Sequence, residues 1–236
     1  MSFLKKIFLT PGTISLIKTI MYPYVKAKWE KNETVKGWLK ENLIGKEEFR
    51  VLAFEWQRFG EPTARPHILK QRTIAEYQKK YNCQILVETG TYRGDMIFAQ
   101  LNNFKEIYSI ELNIPLWEAA KKRFSQQPSI KLLQGDSGKV LHELISKLQA
   151  PTLFWLDGHY CGTETSKGEL ECPIYGELNA IFNSPITHTI LIDDARYFVG
   201  KRDYPTIPEL RDFVEKTDKR YTMSISEDII ILEAKK

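Results

Sequence analysis

The chain has 236 residues, enough for one α/β domain with an appendage and a sizeable buried core. Its 42% hydrophobic and 27% charged content is that of an ordinary soluble globular protein. The net charge of +4 is uneven: residues 1–50 carry ten Lys/Arg against five Glu, so they are +5 and the remainder is −1.

In chain order, the first segment (MSFLKKIFLTPGTISLIKTIMYPYVKAKW) is apolar but broken by Lys5, Lys6, Pro11, Gly12 and Lys18. No apolar run reaches the roughly 18 residues of a transmembrane helix. A clean apolar stretch with a small-residue cleavage site is also missing, which argues against a signal peptide. Residues 1–25 fit an amphipathic contact with an anionic membrane surface. The plainer reading is packing on the main domain or on a second subunit, as in a homo-oligomer. Residues 1–64 read as a basic helical extension, and 65–236 as the main domain. The join falls in Phe59-Gly60-Glu61-Pro62-Thr63-Ala64-Arg65-Pro66, where two prolines and a glycine discourage regular structure.

From there β and α patterns alternate. Helices are expected at 67–80, 95–102, 115–124, 139–148, 174–183 and 208–216. Strands are expected at 85–88, 107–111, 130–133, 152–156 and 188–192. The pair 221–225 and 229–232, split by Ser226-Glu227-Asp228, reads as an antiparallel hairpin. Repeated βα units imply an α/β fold with a mostly parallel, doubly wound sheet. The three cysteines (Cys83, Cys161, Cys172) are odd in number and lack CxxC spacing. A zinc site or disulfide framework is therefore disfavoured, and a cytoplasmic setting fits.

Acidic residues close nearly every strand: Glu88, Glu111, Asp136, Asp157 and the pair Asp193-Asp194. Buried carboxylates are costly unless something binds them. Ligands of open parallel sheets collect at the carboxyl ends of the strands. The turn Glu88-Thr-Gly-Thr-Tyr-Arg-Gly94 leads from a strand into a helix. Its glycines permit close backbone approach, and the helix N-terminus offers free N–H groups. Glu111, about 20 residues on, stands where an acid accepts hydrogen bonds from ribose hydroxyls.

Val-Glu-Thr-Gly-Thr-Tyr-Arg-Gly, Ser-Ile-Glu-Leu and Gln-Gly-Asp-Ser together resemble the class I S-adenosylmethionine-dependent methyltransferases over about 67–236. The resemblance implies a Rossmann-like sheet with S-adenosyl-L-methionine as cofactor. Glu88, Gly90 and Gly94 would border the methionine moiety, with Thr91 and Tyr92 in the same turn. Glu111 would hold the ribose, and Asp136 and Ser137 would lie by the adenine, with Asp157 also on the cofactor side. One departure is Tyr92, where many members have a further glycine; it bears on the shape of the loop. A dinucleotide dehydrogenase fits less well, because the spacing is not GxGxxG.

Adjacent strands would bring Asp157, Asp193 and Asp194 to one edge, where three carboxylates repel and a hard divalent cation relieves them. This resembles the metal-dependent O-methyltransferases of catechol and macrocin type. The resemblance implies a Mg ion on Asp157, Asp193 and Asp194 and a sugar, glycan or other polyol hydroxyl as acceptor. His159 is the candidate general base, with Asp157 sharing that role. Capping and loop bonding are the plainer reading of Asp193-Asp194.

Within the long polar connection 158–172, the segment 161–173 would hang over this edge as a lid. Glu164, Thr165, Glu171 and Glu177 are placed to contact a polar substrate or to face solvent, with solvent the expectation for most. Arg196 is placed to pair with a substrate anion or to neutralise the acids. An accessory cofactor-binding protein of the same fold is the competing function. A nucleic-acid partner is disfavoured, because neither an Asn/Asp-Pro-Pro-Tyr element nor a basic stripe with interleaved aromatics occurs.

Overall fold

The computed structural model describes residues 67–158 and 171–235. The extension 1–64, His159, Cys161, Glu164 and Thr165 lie outside the described residues.

Helices and strands alternate as α1 (His67–Tyr81), β1 (Ile85–Thr89), α2 (Asp95–Gln100), β2 (Glu106–Glu111), α3 (Ile114–Arg123), β3 (Ile130–Gln134) and α4 (Ser137–Leu144). They continue as β4 (Thr152–Leu156), α5 (Ile174–Phe182), β5 (Thr189–Ile192), α6 (Ile207–Thr217), β6 (Tyr221–Ser226) and β7 (Ile229–Ala234). Most boundaries fall within two residues of the sequence reading. The exception is the fourth helix, expected over 139–148. It starts at Ser137 because Asp136 caps it, accepting from Gly138 N–H at 2.9 Å. It then tightens at Leu144 into a 3-10 turn, Ile145–Lys147.

The strands form one seven-stranded sheet in the order β3-β2-β1-β4-β5-β7-β6. All neighbours are parallel except β7, which runs antiparallel to β5 and β6. The chain winds outward from β1 to β3, then restarts at β4 on the other side of β1. The β1–β4 seam is therefore the topological switch point, where such sheets open a ligand crevice.

Central strands β4 and β5 are buried along their whole length, as both faces are covered. Edge strand β6 alternates between buried and exposed residues in its first half. Strand parity sends Leu86, Ile107, Leu153, Trp155 and Leu191 into one core with Ile74 of α1, Ile97 of α2 and Ala120 of α3. Val87, Ile110, Phe154, Leu156 and Ile192 pack on the other face against α4, α5 and α6. The same parity sets the strand ends. Glu88, Ser109, Asp157 and Asp193 fall on the α1 side and Thr89 on the α5 side.

The β6–β7 hairpin closes through Glu227 and Asp228, both at positive φ (50° and 67°). That is the two-residue turn whose twist matches flanking strands. It places Asp228 beside the turn after β5, where Asp228 Oδ1 accepts from Arg196 N–H at 2.9 Å.

Candidate active site

The turn after β1 is shaped by two close approaches. Gly90 sits at φ 83°, and a Cβ there would lie 2.5 Å from the Asp157 carbonyl oxygen. Only glycine lets the ends of β1 and β4 come this near. Gly94 is at φ 74°, with the Phe124 ring 2.6 Å from where its Cβ would stand. Tyr92, the departure from the glycine-rich pattern, adopts φ 47°. The side chain changes while the backbone keeps the left-handed conformation a glycine favours.

Glu111 closes this turn. One carboxylate oxygen accepts from Tyr92 N–H at 2.8 Å and the other from Asn113 N–H at 2.8 Å. A carboxylate oxygen has two acceptor positions, so each retains one for a hydroxyl beyond these bonds. Glu88 is only 2% exposed and accepts from Ser109 Oγ at 2.6 Å. Ser109 in turn bonds Thr91 Oγ1 at 2.6 Å, tying β1, β2 and the turn together. Burial pushes the Glu88 carboxyl up to about 8, against the weaker pull of Ser109. Burial thus favours the protonated form of Glu88, which serves as part of the wall.

Asp136 and Ser137 stand at the N-terminus of α4, as the spacing implied, and both have structural partners. Asp136 caps the helix, and Ser137 Oγ donates to Glu177 Oε1 at 2.6 Å. Glu177 corrects the expectation of a solvent-facing residue: it is 1% exposed. It lies three residues after Ile174 and one before Leu178, on the stripe of α5 that turns inward. Burial lifts its carboxyl to about 7, and hydrogen bonds from Ser137 and Thr89 draw it down. That helical spacing was the signal available in the sequence.

At the ends of β4 and β5, Asp157, Asp193 and Asp194 converge, with carboxylate oxygens within 4.8 Å of one another. Asp193 is fully buried, and Asp194 sits at φ 58°, its N–H bonded to Asp193 Oδ1 at 2.8 Å. Burial and the neighbouring Asp193 charge hold the Asp157 carboxyl well above the ordinary carboxylate range. Burial and Asp194 raise Asp193 to about 6, while Lys70 pulls it down.

Lys70 is the residue that sequence reasoning missed. Its ammonium bonds Asp193 Oδ2 and lies 3.3 Å from Asp194 Oδ1, with the side chain 10% exposed. Burial opposes its charge, but Asp193, Asp157 and Asp194 together outweigh burial and keep it protonated. Arg196 resolves the alternatives left open for it: its Nη1 bonds Asp194 Oδ1 at 2.8 Å and also Asp228. It neutralises the acids. Of the aromatics after β5, Phe198 and Tyr204 are buried and packed edge-on at 5.4 Å, whereas Tyr197 is 47% exposed.

No protein-family model matches the chain, and no curated protein is similar to it by sequence. Solved structures do resemble it. An O-methyltransferase from Bacillus cereus in complex with SAH aligns at a TM-score of 0.52 with 12% identity, over 84% of this chain and 96% of that one. SAH-bound methyltransferase PaMTH1 from Podospora anserina aligns at 0.50 with 16% identity, over 99% and 100%. O-methyltransferase TomG from Streptomyces achromogenes, involved in tomaymycin synthesis and solved with SAM, aligns at 0.50 with 16% identity, over 86% and 96%. At this level of identity what is shared is architecture: the chain has the Rossmann-like fold of these methyltransferases, with its antiparallel C-terminal pair.

Proposed function

We propose that this protein is an S-adenosylmethionine-dependent O-methyltransferase acting on a hydroxyl of a sugar, glycan or similar polyol. The observation that carries the proposal is Glu111. It stands beside the β1–β4 switch point, tied to the glycine turn, with acceptor capacity left for a ribose. Bound there, the sulfonium cofactor would supply an activated methyl group for in-line displacement by the acceptor oxygen. The remaining work falls to the chain. Glu111 would orient the ribose, Asp136, Ser137 and the α4 N-terminus would border the adenine, and Gly90 would keep the β1 turn against β4. Holding two reactants at near-attack distance is worth up to about 7–11 kcal/mol of barrier.

His159 is proposed as the base that takes the hydroxyl proton, with Asp157 beside it. The acceptor's developing alkoxide needs positive charge at the acid cluster. Asp157, Asp193 and Asp194 converge, and a Mg ion held by them would supply Lewis-acid polarisation of the hydroxyl. Such an ion must share oxygens that Lys70 and Arg196 already hold. The basic residues 1–25 are proposed as a contact for an anionic membrane surface. Undiminished liposome co-sedimentation after their deletion discards that contact.

Calorimetry with S-adenosylmethionine tests the main reading. Saturable binding that Glu111→Ala weakens strongly is expected, and no binding to the wild-type chain sinks it.

A further inference from the structure

We propose that Lys70 is the resident cation of the acid cluster, its ammonium taking the position that a divalent ion fills in a three-carboxylate site. Lys70 arrives from α1, 123 residues before Asp193 in the chain. It is one of the buried residues of that helix, with Leu69, Thr73 and Ile74, so its side chain is turned inward. The ammonium bridges the two consecutive acids, on Asp193 Oδ2 and near Asp194 Oδ1. Asp193, fully buried, has its other oxygen committed to the Asp194 N–H.

A divalent ion held by oxygens of all three acids needs ligand distances of about 2.0–2.1 Å for Mg. It would stand in contact with the Lys70 ammonium, and two cations that close in a buried site repel strongly. Ion and lysine are therefore alternatives. In the folded chain the lysine holds the position.

As a statement about cations this stands without any reaction. As a statement about catalysis it rests on the methyl-transfer reading, with Lys70 supplying the positive charge beside the acceptor oxygen.

The test is Mn²⁺ binding to the full chain, read by calorimetry and by the shift in melting temperature. Wild type is expected to show no saturable site tighter than about 1 mM. Lys70→Met is expected to create a site at least about tenfold tighter, with a melting temperature that now rises on adding Mn²⁺. The added change Asp193→Asn should remove that gain. Lys70→Arg, which keeps the charge, should bind Mn²⁺ no better than wild type, so that a gain confined to Lys70→Met follows the loss of the cation.

Micromolar binding by the wild-type chain that Asp193→Asn abolishes overturns the proposal, as does a folded Lys70→Met chain with no gain. If Lys70→Met fails to fold, Lys70→Gln takes its place in the same titration, and saturable micromolar binding by the wild-type chain still overturns the proposal. S-adenosylmethionine calorimetry on the same preparations separates the two readings. Cofactor binding without Mn²⁺ exclusion sinks only Lys70, and exclusion without cofactor binding sinks only the methyltransferase.

Discussion

At the ends of β1 and β2 the carboxylates are held by backbone N–H groups and hydroxyls, whereas Asp193 and Asp194 after β5 are held by cations, Lys70 from α1 and Arg196 from the same turn. Glu111 takes its donors from Tyr92 and Asn113, both in turns that flank the same crevice. Glu88 takes its donor from the facing residue of the next strand. Such partners fix a carboxylate's orientation and leave lone pairs for a ligand. Lys70 and Arg196 instead neutralise Asp193 and Asp194 and occupy the oxygens that a second ligand would want. One half is built as a receptor, the other as a closed electrostatic cluster.

The closed half is expected to break hardest. Asp193→Ala leaves a buried ammonium with half its support, and losing one partner of a buried ion pair costs about 3–5 kcal/mol. Urea unfolding should show that loss, and Lys70→Met/Asp193→Leu should recover much of it. A double variant as unstable as the sum of its parts argues against coupling. On the receptor side Glu111→Ala removes the acceptor for two N–H groups along with the proposed ribose contact. At about 1.5–3 kcal/mol per charged hydrogen bond, cofactor affinity should fall about 100-fold by calorimetry. Gly90→Ala tests the seam between the halves. Its Cβ would meet the Asp157 carbonyl oxygen at 2.5 Å from a backbone at φ 83°. A cost of about 1–3 kcal/mol follows, a drop of about 2–12 °C in melting temperature for a domain of this size.

The same contrast governs how much could be read in advance. The strand ends are local facts: an apolar run closed by an acid marks Glu88, Glu111 and Asp157 wherever the sheet places them, and a glycine follows closely after Glu88 and Asp157. The convergence of Asp157 with Asp193-Asp194 needed only the adjacency of two consecutive strands. Lys70 is different in kind. Nothing near it in sequence marks its partners, since the pairing depends on α1 lying across the β4 and β5 ends. Its position on a stripe with Leu69, Thr73 and Ile74 was legible as inward-facing, but a lysine there also reads as a stem lying along the surface. Glu177 was closer to hand, because its spacing from Ile174 and Leu178 is helical and inward. The expectation of a solvated lid acid outweighed that spacing.

Glu177 also gives the most discriminating of the expected effects. Its carboxyl, lifted by burial from 4.5 to about 7, joins α5 to the α4 N-terminus through Ser137, beneath the crevice and away from the cations. Between those two values the folded chain holds a proton that the unfolded chain has released. Stability contributed by this group is therefore present below pH 4.5, declines as pH rises toward about 7, and levels off above. Glu177→Gln keeps the shape and removes the titration. The melting temperature of this variant, relative to wild type, should climb from pH 5 to pH 8, while Ser137→Ala costs only about 1 kcal/mol. Parallel pH curves for wild type and Glu177→Gln would mean that the carboxylate is ionised in the fold. The floor of the crevice would then carry a negative charge like that of the acid cluster, and the distinction between a hydroxyl-and-amide half and an ionic half would fall.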